Sequence, residues 1–254
     1  MKVALVQTEL IWENPSENRK QLGEKINHVV DIVDLIVLPE MFTSGFTMNP
    51  KKVAETMKGE TIQWLKSIAK TRDCAITGSL VIEENGNYYN RLVFVFPDGK
   101  IEHYDKRHLF TLAGEEKVYT KGENRLIVAY KGWKICPLIC YDLRFPVFSR
   151  NNEDYDVLVY VANWPQPRIQ AWDALLKARA IENMSYVIGV NRIGNDGNLH
   201  PYSGHSQVFD YLGHEMVELL AEDKTIVVTL QKELLISTRE RFGFLSDQDC
   251  FTLD

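Results

Sequence analysis

Short apolar runs rich in β-branched residues recur along this chain, and many of them close on a polar side chain. The runs "KVALVQ" (2–7) and "DLIVLPE" (34–40) have the length and composition of buried strands. Between them, Ser16 is the expected N-cap of a helix with Leu22, Ile26, Val29, Val30 and Val33 at helical spacing. This predicts a βαβ start. A second amphipathic helix places Ile62, Leu65, Ile68 and Ala69 on one face, and residues 74–106 then read as antiparallel strands divided by "ENGN" and "PDGK" turns.

Strands "RLIVAY" and "WKICPLIC" follow across a Lys131-Gly132 turn, then "DVLVYVAN", a helix over about 170–183, and "YVIGVNRI". "HSQVFDY", "HEMVELL" and "TIVVTL" read as a meander around Leu212-Gly213, and residues from about 237 read as a polar and aromatic tail. The result is a mixed α/β chain with more strand than two simple Rossmann halves require, so two packed sheets are expected. No repeat or Gly/Ser/Pro-rich linker marks a boundary, which predicts one domain over 1–254.

Composition narrows the function classes. A net charge of -6 disfavours a general nucleic-acid binder, because phosphate affinity comes largely from clustered Lys and Arg. The apolar run at the N-terminus is too short for a signal peptide or a membrane span, so a cytoplasmic protein is expected. Four cysteines dispersed through 254 residues do not form the framework of a small secreted domain, and reduced thiols are the expectation.

Chemistry enters at the ends of the apolar runs. Glu40 closes "DLIVLPE", Lys106 closes "IEHYDK" and Cys140 closes "WKICPLIC". In open α/β sheets, sites gather beyond the carboxyl ends of strands, where diverging loops leave a crevice. The three side chains have complementary uses. A carboxylate can take the proton of a thiol that attacks a carbonyl or nitrile carbon. An ammonium, with the backbone N–H of Tyr141, can hold the oxyanion that results. Taken singly, each has an ordinary structural explanation: a solvated charge for Glu40 or Lys106, an inert core residue for Cys140.

With their flanking words, "VLPEMF", "YDKRHLF" and "PLICYDLRFP", these residues make the chain resemble the carbon-nitrogen hydrolase (nitrilase) superfamily along essentially its whole length. The resemblance implies a four-layer αββα sandwich, a homodimer, a Glu40-Lys106-Cys140 triad, and no metal or organic cofactor. It also implies a second glutamate after the lysine; "LAGEEKVY" offers Glu115 and Glu116, and Glu115 is preferred. The words "CYDLRFPVFSRN", "NWPQPR" and "RERFGFLSDQDCFTL" resemble the omega-amidase branch, whose substrates are short dicarboxylic monoamides such as 2-oxoglutaramate and succinamate. Such a substrate needs a cation for its distant carboxylate. Arg144 and Arg168 are the candidates, although Arg144 could instead be pinned by Asp142 or lie at a dimer interface. Trp164 is a candidate pocket wall or simple packing.

Other readings are weighed against this one. Cys136 and Cys140 resemble a metal-ligand pair, with His103 and His108 upstream, but in an extended strand they stand about 13 Å apart, too far to share one zinc. Cys136 is therefore expected in the core. A Cys-His hydrolase using His205, a carbamoylase, an acyltransferase and a catalytically silent binding protein on the same fold complete the alternatives.

Overall fold

The computed structural model describes residues 1–252, so the last two residues of the expected tail lie outside the described residues. Its strands form two large sheets. The first runs in the order β13-β1-β2-β3-β4-β5, built from β1 (Lys2–Gln7), β2 (Leu35–Val37), β3 (Ala75–Glu84), β4 (Asn87–Val95), β5 (Ile101–Asp105) and β13 (Lys224–Thr229). The second runs β12-β9-β8-β7-β6, from β6 (Val128–Tyr130), β7 (Trp133–Ile139), β8 (Val157–Ala162), β9 (Tyr186–Asn191) and β12 (Gln207–Phe209). A two-stranded hairpin, β10 (Ile193–Asn195) and β11 (Pro201–Ser203), stands apart from both. The helices are α1 (Pro15–Asn27), α2 (Pro50–Val53), α3 (Glu60–Arg72), α4 (Pro146–Ser149), α5 (Ile169–Asn183) and α6 (Lys232–Phe242).

Alternation along β1 generates the layers, since successive side chains leave opposite faces of a strand. Val3 and Leu5 join Leu35 and Val37 against Ile135, Val157 and Val159 of the second sheet. Ala4 and Val6 turn the other way, onto Leu22 and Ile26 of α1 and Ile62, Leu65 and Ala69 of α3. On the far side, α5 buries Leu176 and Ala180 against the second sheet. The approach is close: a side chain at Gly189 of β9 would meet Leu176 and Trp172 within 3 Å. Helix, sheet, sheet and helix therefore stack as the expected four-layer sandwich, and each fully buried Val or Leu contributes roughly 1.5–3 kcal/mol.

Two hairpins are set by their turns. Asn85 and Gly86 both have positive φ (53° and 79°), as do Lys131 and Gly132 (46° and 78°), the backbone of a tight two-residue hairpin. The strand directions matter more for function. β1, β2 and β3 are parallel, and two antiparallel steps through β4 return β5 to the same direction. Hence the carboxyl ends of β2 and β5 share one edge of the first sheet.

Several local expectations are corrected. The N-cap of α1 is Asn14, whose side chain accepts from Glu17, with Pro15 in the first turn; Ser16 lies inside the helix. That helix stops at Asn27, so Val29 and Val33 are buried by the following loop and Val30 is 94% exposed. Segment 214–220 forms no strand, only an isolated bridge between Phe209 and Glu215, and β13 crosses to pair with β1 instead of closing a meander. Part of the expected tail is the end of α6, which buries Leu235 while Arg239 donates to the carbonyls of Met184 and Tyr155. Among the described residues, no helix is long and apolar enough to cross a membrane.

Candidate active site

Glu40 stands just beyond β2, in a turn held against β3. Leu38 N–H donates to the Thr77 carbonyl, Met41 N–H to the Ser79 hydroxyl and Phe42 N–H to the Ser79 carbonyl. Gly78 permits this contact, because a Cβ there would lie 2.8 Å from that of Leu38 and 2.9 Å from the Phe42 ring. The Glu40 carboxylate is fully buried and accepts from Asn90 Nδ2 at 2.8 Å and from the Asn163 backbone N–H at 2.8 Å.

Lys106 follows β5 directly, and its backbone N–H continues the ladder to the Asn90 carbonyl at 3.0 Å. Its Nζ donates to Glu40 Oε1 at 2.9 Å and to Glu115 Oε1 and Oε2 at 3.1 and 3.0 Å. Burial alone would disfavour the ammonium, but the carboxylates of Glu115 and Glu40 outweigh it and hold the lysine above its ordinary pKa. Glu115 also accepts from the Phe110 N–H at 2.6 Å, and its burial raises its pKa against the pull of Lys106. Glu116 is exposed, so Glu115 is the carboxylate that meets the lysine.

Cys140 begins a 3₁₀ turn (Cys140–Arg144) where β7 ends, with φ at 42°. This left-handed backbone is uncommon outside glycine and turns the chain sharply at the thiol. Asp142, two residues on, braces that turn. Its Oδ2 accepts from Ile139 N–H at 2.9 Å and the Tyr104 hydroxyl at 2.8 Å, and its Oδ1 accepts from His108 N–H at 3.2 Å and lies 2.7 Å from His108 Nδ1. The end of β5 and the cysteine turn are thus tied through one carboxylate. Burial first, then the Glu40 charge, push the pKa of the Cys140 thiol well above the ordinary range. At rest it is a thiol that shares the cavity with Glu40.

These groups open into a cavity of about 340 Å³ lined by Glu40, Lys106, Cys140, Tyr141, Arg144, Trp164 and Arg168 among others. The Arg144 guanidinium lies 5.0 Å over the Trp164 ring and that of Arg168 lies 5.2 Å over Phe110. Neither forms an ion pair with a carboxylate among the described residues, so the expected alternative of Arg144 pinned by Asp142 is not what the structure holds. Trp164 serves both as wall and as packing, donating its indole N–H to the Arg168 carbonyl at 2.8 Å. Cys136 is fully buried in β7, and its thiol is pushed up to about 12 by burial. His205 sits 3.1 Å from both Asp173 oxygens and does not line the cavity.

Sequence reasoning missed two asparagines. Asn90, buried in the middle of β4, donates to Glu40 and, at 3.4 Å, to Glu115, and no local pattern marks it. Asn163 closes "DVLVYVAN", the same polar ending that marked the three catalytic candidates. Its Nδ2 donates to the Glu40 carbonyl at 2.6 Å, which leaves Oδ1 buried in the cavity wall without a hydrogen-bond partner.

The carbon-nitrogen hydrolase family model matches residues 2–240. An omega-amidase YafV of Yersinia enterocolitica is 43% identical over all of this chain and 98% of its own length. A 2-oxoglutaramate amidase of Bacillus subtilis is 31% identical over 96% of each chain. A crystal structure from Xanthomonas campestris, described as a CN-hydrolase superfamily protein with an arsenic adduct in its active site, superposes with a TM-score of 0.98 at 42% identity, covering 100% of this chain and 99% of that one.

Proposed function

The chain belongs to the carbon-nitrogen hydrolase family, and from that footing we propose that it is an omega-amidase, releasing ammonia from the terminal carboxamide of short dicarboxylic monoamides such as 2-oxoglutaramate and succinamate. The observation that carries this reading is a buried Glu40-Lys106-Glu115 cluster beside Cys140, opening into a cavity that also holds two arginines without carboxylate partners.

In this reading Cys140 Sγ attacks the carboxamide carbon while Glu40 takes the thiol proton. The oxyanion is met by Lys106 Nζ and the Tyr141 backbone N–H, each such donor being worth about 3–4 kcal/mol. Glu115 keeps the ammonium charged and aimed. Asn163 Oδ1 accepts an N–H of the carboxamide, which satisfies its own buried acceptor and sets the nitrogen beside Glu40. Glu40 returns the proton to that nitrogen, the C–N bond breaks, and ammonia leaves a thioester on Cys140. Glu40 then takes a proton from water as the hydroxyl adds to the thioester, and collapse releases the dicarboxylate and restores the thiol. Arg144 and Arg168 hold the distal carboxylate, with Trp164 as wall. No metal or organic cofactor has a role in these steps.

The same reading treats 1–254 as one catalytic domain acting in the cytoplasm as a homodimer. Exposed apolar side chains on α5 and α6, among them Ile181, Leu234 and Ile236, support the pairing.

Ammonia release from succinamate, its methyl ester and butyramide tests the substrate. The expected order places succinamate well ahead, because a cation left without its carboxylate is costly. Equal kcat/KM for all three would make the protein a general aliphatic amidase, and faster turnover of a carbamoyl amino acid would make it a carbamoylase.

A further inference from the structure

The tip of the β10–β11 hairpin forms a wall of the same cavity, supplying Asp196, Asn198 and His200, with Tyr202 from β11. Asp196 is buried, and its carboxylate accepts from the backbone N–H groups of Asn198 and His200 at 2.8 and 3.0 Å and from the Tyr202 hydroxyl at 3.0 Å. Burial would favour its neutral form, but these bonds outweigh it and hold the group below the usual carboxylate range. His200 Nδ1 lies 3.2 Å from Asp196 Oδ2, the longest of the four contacts. The loop is closed without it. What the ring contact adds is orientation: with Nδ1 committed to Asp196, Nε2 is the nitrogen left for a ligand, on a side chain 64% exposed.

An ionised Asp196 in the wall opposes an anionic substrate, and an imidazolium beside it removes that opposition. We infer that His200, oriented by Asp196, is a specificity-determining residue that in its imidazolium form donates from Nε2 to the carboxylate end of the substrate. This deepens, and rests on, the reading of the cavity as a dicarboxylic monoamide site. The charged groups that share the cavity with the ring are Arg144 and Arg168 from the turns after β7 and β8, and Glu40 and Lys106 from the first sheet. Recognition thus draws on three separate elements.

The test compares His200→Ala and His200→Gln with a matched control, His214→Ala. His214 is 72% exposed, has the same i,i+4 contact to an aspartate, and does not line the cavity. His200→Ala is expected to raise KM for succinamate about tenfold, the scale of a lost charge-assisted hydrogen bond, with kcat changed less than about twofold. kcat/KM for the methyl ester should move less than about twofold. His200→Gln, which keeps an N–H donor, should recover part of the KM, and His214→Ala should match wild type. An unchanged KM in both His200 variants, or equal losses on succinamate and its ester, overturns the inference while the substrate assignment stands. A wild type that does not prefer succinamate to its ester overturns both.

Discussion

Lys106 is the residue on which the electrostatics of the site depend. Two fully buried carboxylates, Glu40 and Glu115, lie within 3.1 Å of its ammonium, and without it like charges would face one another out of water. Lys106→Met is therefore expected to leave the two carboxylates without their shared partner and the oxyanion without its ammonium, and to cut kcat by about a thousandfold. Lys106→Arg should also fail, because a planar fork cannot meet both carboxylates and the oxyanion from the same point. Steady-state ammonia release reads both variants, and substantial turnover by Lys106→Met would show that backbone donors suffice. Glu40, Lys106 and Cys140 are legible in the sequence because each interrupts the hydrophobic logic of a strand just where the strand ends. Asn163 obeys the same rule and could have been found by it. Asn90 could not, since a buried polar residue within a strand gains its meaning only from the side chains that tertiary folding brings beside it.

At the scale of elements, the site depends on how the end of β5 is held. Gly122 N–H donates to the Lys106 carbonyl at 2.9 Å, and a Cβ at Gly122 would lie 2.0 Å from the Asp105 carbonyl oxygen. Backbone atoms cannot yield as a flexible side chain can. Gly122→Ala is thus expected to cost about 1–3 kcal/mol by overpacking and to lower kcat by a larger factor than a buried alanine substitution far from the site, because Lys106 moves with its strand. Urea midpoints and kcat measured together check this, and full activity at full stability would refute the close contact. Turn chemistry made the hairpins at Asn85-Gly86 and Lys131-Gly132 legible. α6 was not, because Leu234, Leu235 and Ile236 are consecutive and only Leu235 is buried, so no helical stripe stands out. The run at 214–220 carries the composition of a strand but finds only one bridge, where pairing geometry overrides local preference.

Across the whole molecule, the two sheets are joined outside their core by Asp34. Its carboxylate accepts from Lys131 Nζ at 2.6 Å, on the β6–β7 turn, and from the Lys2 N–H at 2.8 Å, at the start of β1. Burial would raise its pKa, but the bond to Lys131 and that to Lys2 outweigh it, so the folded value is depressed. Its contribution is then present above the unfolded value, near 3.9, and is lost as pH falls through the folded value. Asp34→Asn should lower stability at neutral pH by on the order of 1 kcal/mol, since Lys131 stays partly hydrated, and should flatten the acid limb of the urea midpoint against pH. Parallel curves for variant and wild type would contradict this. Two packed sheets were legible from the strand count and the four-layer stacking only from the family resemblance, whereas the crossing of β13 to β1 depends on long-range pairing that no local pattern encodes. All of these layers serve to bring Cys140 from the second sheet to Glu40 and Lys106 from the first, and the measurement that tests this most directly is peptide mapping by mass spectrometry after acid quench of the enzyme turning over succinamate. The account predicts an acyl adduct on Cys140, absent in Cys140→Ala and retained in Cys136→Ala. An adduct on Cys136, Cys74 or Cys250, or steady turnover by Cys140→Ala, would contradict it.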